Sequence, residues 1–265
     1  MEIKLEDYKY KDKLLNLTIK DKEINGIYGH HLEDLVEKLK LKPDYIGKII
    51  INKQEITKEE VYEYKKRIEV VEEYFEMSLK GQTVEEIMIL KIKKNEIYPK
   101  NLPKKLLDSM KIVGLDQELL KRNIYTLSSS EKKLIQLSLS LLSNPDVLIL
   151  KEPFMRLDIK NSKKMIMILK KIKEQFHKTI VIVSTDEEIL YKYTDNLIIF
   201  KNDKIVAEDK TEDLFKRVEF LKKHKVNIPQ IVEFTYKVRR YKNVKIDYHK
   251  DIRDIIKDIY KHVKR

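Results

Sequence analysis

Apolar residues fall along this chain in short runs, separated by stretches with helical spacing. Six segments have strand character: EIKLEDYKY (2–10), EINGIYG (23–29), KIIIN (48–52), VLIL (147–150), TIVIVS (179–184) and NLIIFKNDKIVAE (196–208), whose KNDK at 201–204 reads as a hairpin turn. Helical periodicity covers residues 83–110, with interruptions at Pro99 and Pro103, then 128–143 and 161–176. Strands alternating with helices predict an α/β protein with a mainly parallel sheet wound by helices. After Glu208 the pattern becomes helical and stays so, which places a boundary near Thr211. No apolar run approaches the roughly 18 residues needed to cross a bilayer, and MEIKLEDYKYKDK holds no apolar signal-peptide core, so a soluble or peripheral protein is expected.

A length of 265 residues suits one large domain, or a core domain with a small appendage. The absence of cysteine rules out a disulfide framework, a thiolate metal site and thiol catalysis, and fits a reducing cytosol. The 56 basic residues outnumber the 44 acidic ones, and the net +12 points to a polyanionic partner, either nucleic acid or an anionic membrane surface. Location changes that picture: residues 216–265 hold 16 Lys or Arg against 6 Asp or Glu, a net +10, leaving +2 for the first 215 residues. A nearly neutral body therefore carries a basic tail. Five glycines are few, because phosphate-cradling loops and sharp turns usually consume glycine.

Residues 127–186 carry the most chemistry. LSSSEKKLIQLSLSLLSNPDVLILKEPFMRLD, followed by TIVIVSTDEE, gives in order a Ser-led helix start, a helix, an Asn-Pro turn, an apolar strand, an acidic residue before Pro, a Leu-Asp, a helix and a second apolar strand. This order resembles the ATP-binding cassette (ABC) family, with its LSGGQ signature, Walker B strand, D-loop and switch histidine. The resemblance extends outward. QTVEEI at 82–87 looks like the start of the family's helical subdomain, EINGIYGHH at 23–31 like the strand entering the Walker A loop, and Tyr10 falls where an adenine-stacking aromatic sits. The tail, TEDLFKRVEFLKKHKVNIPQIVEFTYKVRR, is similar to the C-terminal domain of energy-coupling factor (ECF) transporter ATPases. The resemblance implies a P-loop-NTPase-like nucleotide-binding core over residues 1–210, with an antiparallel β subdomain and a helical subdomain at about 80–127, followed by a small helical C-terminal domain at 211–265.

The framework matches and the chemistry departs. A phosphate loop needs glycines for close backbone approach, a Lys for the β and γ phosphates and a Ser or Thr for Mg²⁺. Gly26 and Gly29 are present, but HHLEDLVEKL follows and no Gly-Lys-Ser occurs; the 18 residues from Gly26 to Pro43 are about five fewer than the family pattern requires. Glu33 and Asp34 fall at the expected helix start, where they would repel phosphate. Lys151 takes the position of the Walker B aspartate, while Glu152 keeps that of the catalytic glutamate. Lys151 either replaces the metal's charge and meets phosphate, or pairs with Glu152 or a neighbouring carboxylate; the pairing is favoured, since one point charge does not rebuild a backbone cradle. Thr185 aligns with the switch histidine and Glu73 with the Q-loop glutamine. In the signature Ser128 is retained, Ser129 and Ser130 replace the glycine pair and Glu131 the glutamine; S-x-x-E is also a helix capping box, the favoured reading. Asp158 keeps the D-loop position.

Other constellations are weaker. His30 and His31 are adjacent and lack further ligands at metal spacing, so no metal site is expected. Tyr236, Tyr241, Tyr248 and Tyr260 among Lys and Arg could stack on single-stranded nucleic acid, but packing at helical spacing is the favoured reading and nucleic acid is disfavoured as a partner. The expected function is thus a degenerate, non-hydrolysing ECF-type ABC subunit, cytoplasmic and peripheral on the inner face of the cell membrane. It would pair as a heterodimer with a competent ABC ATPase paralogue and an integral membrane coupling subunit, in uptake of vitamins or other micronutrients. No cofactor is expected at its own site; ATP and Mg²⁺ would lie at a composite site supplied by the partner. The alternative is a repurposed ABC-fold scaffold whose basic tail binds RNA, acidic lipid or protein.

Overall fold

The computed structural model describes residues 1–73, 83–242 and 246–263. Residues 80–82 of the expected helical subdomain, and Lys245, Lys264 and Arg265 of the basic tail, lie outside that set.

The chain opens with an antiparallel hairpin, β1 (Ile3–Tyr10) and β2 (Lys13–Ile19), and then enters β3 (Ile24–Tyr28). After α1 (Glu33–Leu39), β4 (Lys48–Ile51) and β5 (Gln54–Glu55) complete a four-stranded sheet of order β2-β1-β4-β5. There follow α2 (Val61–Lys65), β6 (Ile68–Val71), α3 (Val84–Lys94), α4 (Leu102–Ile112), α5 (Ser129–Leu141), β7 (Val147–Lys151), α6 (Ile159–Phe176), β8 (Thr179–Ser184), α7 (Glu187–Tyr193), β9 (Asn196–Lys201) and β10 (Lys204–Lys210). The second sheet has order β10-β9-β3-β8-β7-β6 and is parallel from β9 to β6. Only β10 runs antiparallel, closing the expected 201–204 hairpin with Asn202 and Asp203 both at positive φ, as a two-residue turn between right-twisted strands requires.

Every residue of β3 and β8 is buried, because the parallel sheet is covered on both faces. Alternate residues face opposite cores: Ile180 and Ile182 pack with α6, while Val181 and Val183 pack with α1 and the antiparallel sheet. A third cluster, built on Ile87, Met88, Leu106, Met110 and Ile135, joins α3, α4 and α5 into a helical arm. The class is therefore the mixed α/β one that the sequence implies, with an antiparallel and a parallel sheet.

Two local outcomes differ from expectation, one in the helices and one in the strands; the helical tail does not. The stretch 83–110 is two helices: Pro99 lies in the connecting loop, but Pro103 sits in the first turn of α4, where its missing N–H costs nothing, beneath an Asn101 cap that accepts from the Lys104 N–H at 3.0 Å. The strands β2, β5 and β6 were not among those expected: β5 has only two residues, and KLLNLTI and IEVV are flanked or broken by charge. Beyond β10 the structure is helical: α8 (Thr211–Lys216), α9 (Val218–Lys223), α10 (Gln230–Lys242) and α11 (Ile252–Val263). Leu214, Phe215, Val218 and Leu221 join the core under the sheet, where Phe215 meets Tyr191 edge-on at 5.2 Å between ring centres.

Candidate functional site

A cleft of about 460 Å³ opens at the carboxyl ends of β3, β7 and β8, the end at which parallel α/β sheets receive ligands. Its lining brings together Gly29, Glu33, Glu73, Lys151, Glu152 and Thr185, with His30 and His31 at its mouth. Tyr10, Gly26, Ser128, Ser129, Ser130, Glu131 and Asp158 are not part of this lining.

The connection from β3 to α1 spans only residues 29–32. Gly29 begins it because the chain passes directly against β9; a Cβ there would lie 2.5 Å from the Phe200 carbonyl oxygen. His31 takes φ 55°, and α1 opens without a side-chain cap. Its first turn carries Glu33, which faces the cleft, and Asp34, 3.8 Å from the Lys11 ammonium. Gly26, by contrast, lies within β3, paired with Ile182 and Leu197, where an added Cβ would crowd Leu190, Thr194 and Leu197 at 3.0 Å. It is a packing glycine in this fold.

Lys151 ends β7, and its Nζ donates to Glu72 Oε2 at 2.7 Å. The partner is neither Glu152 nor Glu73. Val71 of β6 pairs with Leu150 of β7, so Glu72 is the next residue across from Lys151. Glu152 sits at φ 42°, a left-handed conformation that costs a non-glycine residue energy and needs support from its surroundings. The support is a closed set of hydrogen bonds. Oε1 accepts from the Thr185 N–H at 2.7 Å and from the Thr185 hydroxyl at 3.2 Å, and Oε2 accepts from the Ser184 hydroxyl at 2.7 Å. Lys133, from α5, donates to the Glu152 carbonyl at 2.7 Å and to the Glu73 carbonyl at 3.3 Å. Burial pulls the Lys133 ammonium below its ordinary pKa, while the carboxylates of Glu73 and Glu152 push the other way. Glu72, Lys133 and Ser184 escaped the sequence reading. Recognising β6 would have exposed Glu72 through strand register; nothing in the spacing of α5 singles out Lys133.

Ser128 is the N-cap of α5 in a complete capping box. Its Oγ accepts from the Glu131 N–H at 3.3 Å and donates to Glu131 Oε2 at 2.7 Å, while the same carboxylate accepts from the Ser128 N–H at 2.8 Å. These bonds from Ser128 hold the Glu131 carboxyl below its usual pKa. Asp158 caps α6, accepting from the Asn161 N–H at 2.7 Å. Tyr10 does not offer the open ring face that adenine stacking needs: it is 1% exposed and meets Phe200 edge-on at 5.5 Å. Among the described residues, no three His, Cys, Asp or Glu side chains cluster as a metal site, and no helix is long and apolar enough to cross a membrane.

The family model "ABC transporter" matches residues 35–155, from the first turn of α1 to just beyond Glu152. Over that span, a little under half of its length, the chain is similar to the ABC transporter family. The chain is 28% identical over 241 residues to the energy-coupling factor transporter ATP-binding protein EcfA2 of Enterococcus faecalis, covering 84% of this chain and 80% of that protein. It is 29% identical over 247 residues to EcfA2 of Ligilactobacillus salivarius, covering 85% and 81%. Among solved structures, cbiO1 from Clostridium perfringens, part of the ABC transporter complex cbiONQ, superposes with a TM-score of 0.71 at 21% identity, covering 88% of this chain and 98% of the other. A dimeric bacterial ABC transporter cassette superposes with a TM-score of 0.63 at 22% identity, covering 79% and 98%. The resemblance noted in the sequence thus holds for the fold across most of the chain.

Proposed function

We propose that this cassette is an ECF-type transporter subunit whose own cleft does not hydrolyse ATP, and that it works as a heterodimer beside a competent ABC ATPase paralogue. The observation that carries this reading is the Lys151–Glu72 ion pair at the end of β7. A bound divalent cation would have to share that position with an ammonium group, against its charge. Three further features agree. The four-residue β3–α1 connection leaves little backbone to wrap phosphates, Glu33 sets a carboxylate at its far end, and both carboxylate oxygens of Glu152 are already engaged by Ser184 and Thr185. The donor set does not fit a magnesium–nucleotide complex. The Ser128 hydroxyl is committed to the α5 cap, so this chain would complete the partner's composite ATP site poorly.

In this reading the pair docks on an integral membrane coupling subunit at the inner face of the membrane, in uptake of a vitamin or other micronutrient, and the retained fold serves assembly. Phosphate release by the purified chain with Mg-ATP tests it. No turnover is expected above the level of Glu152→Gln; Mg²⁺-dependent turnover abolished by that substitution overturns the proposal. Co-purification with an ABC ATPase and a membrane-integral protein supports the assembly. Salt-sensitive retention on RNA with no membrane partner would favour a repurposed scaffold instead.

A further inference from the structure

We propose that a lysine-rimmed groove between the C-terminal end of α4 and the outer face of α6 is a docking site for an acidic amphipathic helix of a partner protein. The groove, about 870 Å³, collects Lys111, Lys160, Lys163, Lys164, Lys170 and Lys171, with Glu174 as the one acidic residue in its lining. Its net charge of +5 exceeds the +2 carried by all of residues 1–215, so folding concentrates charge here that the rest of the body offsets elsewhere. Among the described residues none of these six lysines is ion-paired; Lys164 alone has a polar contact, to the Gly114 carbonyl at 3.2 Å. Elsewhere on the body Lys91 is paired with Glu69 and Lys173 with Asp195. The floor is apolar: Ile112, Ile159, Met167 and Ile168 contribute to it, and Ile159 and Met167 are 78% and 70% exposed.

The chemistry selects the occupant. An apolar floor between rows of unpaired ammonium groups complements a helix with apolar side chains on one face and carboxylates beside them. Ile159 and Met167 are eight residues apart, about 12 Å along α6, which matches apolar residues two turns apart on the incoming helix. Met167 lends the adaptable surface that such grooves use. A lipid surface would be expected to meet protruding aromatic anchors, and RNA would be expected to meet stacking rings or arginine forks; this lining has neither. A second copy of this chain would bring positive charge to a positive site. The inference is independent of whether the cleft at the end of β7 turns over nucleotide.

Fluorescence anisotropy with the full chain tests it. The probe is a labelled helical peptide with leucines two turns apart on one face and glutamates flanking them. Saturable binding is expected, weakened about tenfold or more by Lys163→Glu/Lys170→Glu and less by Lys163→Gln/Lys170→Gln. Met167→Gln should weaken it about fivefold without altering its salt dependence. Lys223→Glu/Lys242→Glu in the tail should leave it unchanged. Three results overturn the proposal: no saturable peptide binding, loss with the tail variant rather than the α6 variants, or tighter binding of phosphatidylglycerol vesicles or polyuridine through the same α6 lysines.

Discussion

Glu152 shows how a single side chain can hold together the turn on which it sits. Its carboxylate closes the turn from β8 into α7 by accepting from Ser184 and Thr185, and so supports its own left-handed backbone. Glu152→Ala leaves a backbone N–H and a partly buried hydroxyl without an acceptor, and should destabilise the fold by about 2–3 kcal/mol, with Glu152→Gln costing about 1 kcal/mol. Urea unfolding followed by circular dichroism measures both. Lys151→Asp places a carboxylate beside Glu72 and Glu152 and should lower stability without creating turnover. The pairing of Lys151 with a carboxylate was legible in sequence; the identity of that carboxylate was not, because it depends on the register of a strand only four residues long.

At the level of elements, long or strongly patterned segments were the readable ones. TIVIVS is β8 residue for residue, and the S-x-x-E at the head of α5 is the capping box it resembles. Ser128→Ala should cost about 1 kcal/mol of stability at neutral pH. Because the Glu131 carboxyl is held below its ordinary pKa, its contribution is complete above the ordinary carboxylate range and is lost as pH falls through the depressed value; the Ser128→Ala penalty should shrink in acid accordingly. Thermal melts of the two chains across acidic pH would show the curves converging. Alkaline pH tests two tyrosines. Burial pushes Tyr8 in β1 and Tyr191 in α7 up to about 12 from 10.0. Both phenols stay protonated in the fold while the unfolded chain ionises, so the stability they supply is intact below pH 10 and is lost as pH rises toward 12, on the order of 2 kcal/mol each. The Tyr8 hydroxyl has no hydrogen-bond partner among the described residues, so Tyr8→Phe should raise neutral stability by about 1 kcal/mol and move the alkaline unfolding midpoint upward.

Over the whole molecule, the sequence located one charge feature and hid another. The basic tail is visible as a shift in composition, and its acids are consumed locally: Asp251 by Arg253, Asp254 by Lys257, Asp258 by His249 and Lys261. Two such tails repel, so sedimentation equilibrium at low ionic strength should find no stable homodimer, while a paralogue with an acidic C-terminal face should bind. The α6 patch was invisible because Lys111 is far from residues 160–171 in sequence and because acids elsewhere in the body cancel the sum. The short β3–α1 connection has a historical consequence. With Gly29 pressed against the Phe200 carbonyl and α1 beginning four residues later, a phosphate cradle cannot be built by exchanging residues one at a time; several residues of new chain must first be inserted. Under the proposed reading, ancestry runs one way through this turn, since single-base mutation supplies substitutions readily and coordinated in-frame insertions rarely.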